Sequence, residues 1–228
     1  AGSPLEVSVV GDFAPEQALR HAAETLGSLP ARAVPSRERP RAWTALARAE
    51  TVHRITGPSP EAVLGVVFAD AADLGRVRPM TIAARAIDAE LERARAENGL
   101  GGKTGAWVWQ GDGIPDRATL VVRWEGAADP ERAMEAIDRA VRRVANGGAD
   151  AVLAKEIGRA RASVAEVWSQ ARFWSDRLAR LSVHGLDVGA LASMPVAYDA
   201  MTPESVRSTL AKCVAGGVHK RVLVTPDP

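Results

Sequence analysis

Residues 21–25 read His-Ala-Ala-Glu-Thr, one histidine short of the inverted zinc-binding pattern H-x-x-E-H. A catalytic zinc takes three protein ligands and keeps a fourth position for a water, whose pKa it lowers to about 7. His21 would supply one ligand, but Thr25, one turn further on, cannot supply the second imidazole. The remaining histidines, His53, His184 and His219, are isolated from one another in sequence. The expected role of His21 is therefore an exposed helix residue facing Glu24 across one turn. No metal ligand is assigned in this chain. Cys213 is the single cysteine, which excludes an internal disulfide and a cysteine-based metal cluster.

Other chemical patterns fail on their structural context. "GLGGKTG", with Lys103 and Thr104 after glycines, resembles a phosphate loop. It follows a helical pattern and precedes a strand pattern, the reverse of the order that points backbone amides at a phosphate. It reads as a helix stop. No nucleophile elbow is present. Six tryptophans are spread along the chain. Trp107 and Trp109 share one face of a strand, and Trp124 is expected across from them, as core packing or sheet cover, with a peptide-binding surface as the alternative.

These residues must be positioned by ordinary globular elements. Of the 228 residues, 46% are hydrophobic and 25% charged, with a net charge of +1, so composition calls for no nucleic-acid partner and no anionic membrane surface. No stretch has the roughly 20 apolar residues that span a bilayer. "LEVSVVGDF" alternates and predicts a strand over Leu5 to Val10. Pro15 and Glu16 open a helix capped near Asp12 or Ala14, with Ala18, Leu19, Ala22 and Leu26 on its apolar face. A Pro- and Arg-rich loop from Gly27 to Ala42 follows.

Strands are expected over Ala49 to Ile55 and Val63 to Phe68, then a long helix from Arg78 to Ala96 stopped by glycines. "AWVWQG" and "ATLVVRWEG" read as paired strands around "GDGIPD". Behind Asp129 the pattern turns helical, with apolar stripes at Ala133, Ile137, Ala140, Val141 and Val144, and at Leu153, Ile157, Ala160, Val164 and Val167. Asp150 is expected to cap the second of these. "FWSDRLARLSVHG" and "TPESVRSTLAKCV" are further helices, the latter capped by Thr202 with Pro203 in its first turn. "HKRVLVTP" closes as a strand. The predicted architecture is α+β: about six strands in a mainly antiparallel sheet covered by helices, with a helix-rich C-terminal half. Without an internal repeat or a long linker, residues 1–228 are expected to form one domain.

In order and spacing these segments resemble the pitrilysin/insulinase-type (inverzincin) zinc metallopeptidases. "VSVVGDFAPEQALRHAAETLGSLP" resembles a strand, Gly-Asp, helix, Leu-Pro run of that family. "IAARAIDAELERARAENGLGG" resembles its long helix and the closing pattern Arg, three residues, Gly-Leu, one residue, Tyr. "DPERAMEAIDRAVRRVANGGADAVLAKEIGRAR" is similar to the helix pair that follows, and "FWSDRLARL", "YDAMTPESVRSTLAK" and "RVLVTP" to the C-terminal end of bacterial members.

The resemblance implies a chamber built from two related halves, of which one carries H-x-x-E-H upstream of the "VVGDF" segment. It implies a non-catalytic C-terminal domain here, with no cofactor of its own and zinc only in a catalytic half. That half would be part of the same protein or a partner subunit. Peptide is the implied substrate, held in part by strand addition at a sheet edge. In the family pattern an Arg and a Tyr of the non-catalytic half steady the substrate. Arg95 takes the Arg place, Gly99 and Leu100 match Gly-Leu, and Gly102 stands where the Tyr belongs. Arg95 is thus the one candidate substrate-binding residue, and the absent phenol motivates a rival reading, a structural or assembly module without proteolysis. Exported bacterial relatives imply a periplasmic location. The opening "AGSPLEVSVVGDF", already running into a strand, suits a fragment of a longer chain, and the Ala and Arg content suits a high-GC bacterial source.

Overall fold

The computed structural model describes residues 7–30, 51–110, 117–184 and 186–226. Its element order is α1 (Pro15–Thr25), β1 (Thr51–Gly57), β2 (Glu61–Asp70), α2 (Leu74–Asn98), β3 (Lys103–Gln110), β4 (Arg117–Glu125), α3 (Pro130–Ala145), α4 (Asp150–Val167), α5 (Ala171–His184), α6 (Val188–Ala192), α7 (Met194–Asp199), α8 (Pro203–Gly216) and β5 (Val218–Pro226). The architecture is α+β. Among the described residues the sheet has five strands in the order β1-β5-β2-β4-β3. It is mixed: β1 pairs with β5 in parallel, and the other pairings are antiparallel.

The strand expected over Leu5 to Val10 is not formed in its described part, Val7 to Val10, and Leu5 and Glu6 lie outside the described residues. A strand requires a neighbour for its backbone donors and acceptors, and none of the five described strands pairs with this segment. Val7 and Val9 are 52% and 60% exposed. Helix α1 forms with Ala14 at its N-cap, where no side chain supplies a capping bond. Its apolar stripe is not buried: Leu19 is 71% exposed. Most of the expected Pro- and Arg-rich loop, and Trp43, lie outside the described residues.

Strands β2 and β4 alternate buried and half-buried positions along their length. Ala62, Leu64, Val66, Leu120, Val122 and Trp124 point into one core. Helices α2, α3 and α8 cover that face. They supply Ile82, Ile87 and Leu91 from α2, Ile137 and Val144 from α3, and Val206 and Leu210 from α8, all buried. The stripe predicted on α3 is buried throughout, as are Leu153, Ile157, Ala160 and Val164 of α4.

Local chemistry explains the starts of α3 and α8. Asp129 accepts from the amides of Glu131 and Arg132 at the start of α3. At α8, Thr202 accepts from the Ser205 amide while the Ser205 hydroxyl accepts from the Thr202 amide, with Pro203 in the first turn. Two expectations shift. Helix α2 begins at Leu74, capped by Asp73, and takes Pro79 into its second turn. Asp150 is the first residue of α4, behind Ala149, and lies 3.6 Å from Arg207.

Candidate functional site

The histidines come first. His21 projects from α1 with its side chain 76% exposed, its Nδ1 3.4 Å from Glu24 Oε2, as the spacing predicts. Thr25 Oγ1 donates to the His21 carbonyl at 2.6 Å, so the residue in the missing imidazole's place serves its own helix. His53 sits on β1 and His184 at the end of α5. His219, at the start of β5, is bound through Nε2 to the Val214 carbonyl at 2.6 Å. Among the described residues no three His, Cys, Asp or Glu side chains converge on a point where a metal could sit. These donors therefore do not fit the zinc of the resembled family. The Cys213 thiol is buried, and burial pushes its pKa up.

Arg95 lies in the last turn of α2, where a cation faces the negative end of the helix dipole. Its Nη2 and Nε both donate to Glu92 Oε2, at 2.8 and 3.0 Å. Glu92 Oε1 accepts from the Thr104 hydroxyl of β3 at 2.7 Å. Glu92 thus ties the helix end to the edge strand. These donors, Arg95 first and Thr104 second, hold its carboxyl below the ordinary range. Asp88, one turn earlier on the same helix, is the opposite case. Burial, aided by the Glu92 charge, pushes its carboxyl up.

Past Arg95 the chain turns through left-handed residues. Gly99 caps α2 with φ 61° and donates to the Arg95 carbonyl. Gly101 and Gly102 follow at φ 66° and 76°. The Gly101 carbonyl accepts from Trp124 Nε1 at 2.9 Å. A Cβ on Gly102 would strike the carbonyl oxygen of Glu125 and come within 2.9 Å of the Gly126 carbonyl carbon. Glycine at 102 is therefore favoured by the close approach of two backbones as well as by its positive φ.

The register of the sheet corrects the tryptophan expectation. Trp124 pairs with Thr104, whereas Trp107 pairs with Val121 and Trp109 with Thr119. Directly paired residues share a face, so Trp124 points into the core, fully buried, while Trp107 and Trp109 point the other way, 43% and 48% exposed.

That second face carries none of the helices that cover the first. Read across the strands, it presents Trp109, Thr119 and Val67, then Trp107, Val121, Gly65 and Lys220. Gly105, Arg123, Val63, Val222 and His53 follow, and then Lys103, Glu125, Glu61, Val224 and Ile55. Three of its charges pair with one another. Arg123 donates to both Glu61 oxygens at 2.6 and 3.0 Å and lies 3.5 Å from Glu125. The Glu61 hydrogen bonds raise the Arg123 pKa. Sequence alternation could have shown that a bare face exists, but not which residues neighbour one another on it.

On the helical side a groove of about 690 Å³ runs between α2 and α3. Its floor is Glu90, a buried carboxylate gripped by Arg93 at 2.6 Å and Arg143 at 2.9 Å. Arg93 also reaches Glu97 at 2.7 Å. These contacts fasten two helices together and leave Arg95 outside the groove.

Residues 2–163 match the family described as the peptidase M16 inactive domain. No curated protein matches the sequence. The fold is similar to a peptidase M16 inactive domain from Pseudomonas fluorescens, with a TM-score of 0.70 at 18% identity over 96% of this chain and 53% of that one. It is also similar to the periplasmic protease PqqL from Escherichia coli, with a TM-score of 0.71 at 16% identity over 95% of this chain and 25% of that one. A chain of complex III2 from Candida albicans gives a TM-score of 0.58 at 12% identity over 76% of this chain and 44% of that one. The chain thus spans between a quarter and about half the length of the solved structures it matches.

Proposed function

Since this chain belongs to the peptidase M16 inactive-domain family, we propose that it works as one wall of a peptide-degrading chamber whose zinc and bond-breaking chemistry sit in another part of the parent protein or on a partner subunit. The observation that carries the reading is the one-sided sheet. Helices α2, α3 and α8 bury one face, while among the described residues no helix covers the other, where Trp107 and Trp109 are about half exposed. An antiparallel sheet can leave one face to water, but two half-exposed tryptophans on that face suit it to a facing body or to the wall of an enclosed space. A chamber between two halves provides that space.

In this role the chain supplies shape and backbone rather than acid–base groups. Arg95 is the side chain that the family pattern would bring to the substrate, and here it rests on Glu92. To meet a peptide carbonyl it must exchange that carboxylate for the substrate. The tyrosine that would share the load is replaced by Gly102, so oxyanion stabilisation from this half is reduced to a single exchangeable cation. Extended peptide would also pair with the free edge of β3, through backbone groups alone.

A second reading, an assembly module without proteolysis, is favoured by the likeness to a chain of complex III2 and by Gly102. Reconstitution separates the two. The zinc-bearing half is assayed on a quenched fluorescent peptide with and without the purified chain. The chamber reading expects turnover to appear or rise at least about tenfold on mixing, the scale of one lost or gained positioning interaction. A tight complex in which the chain leaves turnover unchanged would establish the assembly role instead.

A further inference from the structure

The groove between α2 and α3 carries more positive charge than its own acids neutralise. Four arginines line it, Arg93 from α2 and Arg139, Arg142 and Arg143 from α3, against two carboxylates, Glu90 and Glu97. Both acids are already taken. Glu90 lies 2.6 Å from Arg93 and 2.9 Å from Arg143, and Glu97 lies 2.7 Å from Arg93. Arg139 reaches Glu135 at 3.5 Å, with both side chains more than half exposed, and a pair so exposed exchanges partners at little cost. The Arg142 guanidinium has no partner among the described residues.

Small residues keep the groove open. Ala94, Ala136 and Ala140 stand in its lining, where longer side chains would fill it. Gly148 clears the path of Arg143, since a Cβ there would lie 2.9 Å from Arg143 Cγ. The negative end of α3 accounts for cations in its last turn, Arg142 and Arg143. It does not account for Arg139, a turn earlier, or for Arg93 on the other helix. Arg142 and Arg143 follow Arg139 by three and four positions, which sets each of them beside it, about 5–6 Å away between Cβ atoms. Arg93, Arg139 and Arg143 are all about half exposed, so the rim faces water.

We infer that this groove docks an acidic segment of a protein partner, one that presents two carboxylates a helical turn apart to Arg139 and Arg142. Charge complementarity carries the choice. The lining has an excess of two positive charges, one if Glu135 beside it is counted, while the whole chain has a net charge of only +1. The attraction for an anion is therefore local to the groove. Arginine forks match planar carboxylates, and Glu90 and Glu97 show the groove's own arginines holding that group. A space of about 690 Å³ along two helices takes several side chains rather than one small ion. The groove lies in the helical layer and not on the open sheet face, so the inference stands apart from the chamber reading.

The test uses fluorescence anisotropy of the whole chain with two labelled helix-forming peptides, identical except that one carries Glu and the other Gln at two positions one turn apart. At low salt the chain should bind the Glu peptide about three- to thirtyfold more tightly, the scale of two exposed ion pairs. The preference should vanish in about 1 M salt, where screening acts within about 3 Å. Arg139→Gln combined with Arg142→Gln should abolish it while leaving Glu90 both of its partners. Arg172→Gln, on α5 with its side chain 92% exposed, should leave it intact. If the double variant fails to fold, Arg142→Gln alone, which has no partner to lose, should reduce the preference. Equal binding of the two peptides, or a preference untouched by the groove variants, overturns the inference. So does an equal loss on Arg172→Gln, which would make the attraction a property of the whole surface. Displacement of the Glu peptide by an equimolar amount of inorganic phosphate would make the groove a general anion site and overturn the peptide as its occupant.

Discussion

Restoring the family tyrosine at Gly102 should damage this protein rather than improve it. At φ 76° any residue with a Cβ sits in the left-handed region, at a cost of about 1–2 kcal/mol. That Cβ would also collide with the Glu125 carbonyl oxygen and crowd Gly126. Relieving the overlap requires the α2–β3 turn to move off the end of β4, comparable to overpacking a core, about 1–3 kcal/mol more. Gly101 separates the two effects, because it is left-handed too, at φ 66°, but has open space around its Cβ position. Gly101→Ala should therefore lose about 1–2 kcal/mol, and Gly102→Ala or Gly102→Tyr about 2–5 kcal/mol. For a protein of this size the second loss lowers Tm by roughly 4–20 °C. Paired urea and thermal denaturation of the variants would measure the difference. If Gly102→Ala proves no more destabilising than Gly101→Ala, the backbone collision is not what keeps glycine there. Loss of the tyrosine would then have to be explained by function.

Four further outcomes are expected. Asp88→Asn should stabilise the protein at neutral pH by less than about 1 kcal/mol, the group being partly solvated. Because its folded pKa is raised, the penalty is fully present at neutral pH and fades as pH falls toward the unfolded value of about 3.9; a gain equal at pH 7 and pH 3 would contradict the assignment. Glu92→Gln should remove a contribution present above the unfolded carboxylate pKa and lost as pH falls through the lower folded value, so wild type and variant should converge in acid melts. Thr202→Ala should cost about 0.5–2 kcal/mol by opening the capping box of α8, read from urea midpoints at constant m. Arg95→Ala should cost less than about 1 kcal/mol of stability, and in the reconstituted peptidase should lower kcat/KM by less than about a hundredfold, one cation without a tyrosine beside it being weaker than an oxyanion pair.

Much of this molecule could be read from local sequence because its signals are local. The stripe of Ala133, Ile137, Ala140, Val141 and Val144 names the buried face of α3, Asp129 and Thr202 announce helix starts, and Gly99 announces the end of α2. What sequence could not supply depends on partners far along the chain. Val7 to Val10 alternate as a strand does, yet alternation alone does not provide a neighbour. Trp124 was expected beside Trp107 and Trp109, but a shift of one residue in register exchanges the faces, and only the pairing of Trp124 with Thr104 settles it. The parallel match of β1 to β5 joins distant ends of the chain and has no local mark. Arg95 could be found by pattern; its tie to Glu92, and through it to Thr104, required the packing of α2 on β3. The absence of a second imidazole at Thr25 was legible at once, because one turn of helix fixes both positions.

The most direct test of the central claim is the turnover of a quenched fluorescent peptide by the purified chain alone, with and without a zinc chelator. The account predicts no turnover in either case. Chelator-sensitive cleavage by the chain alone would place a working metal centre within it and contradict the account.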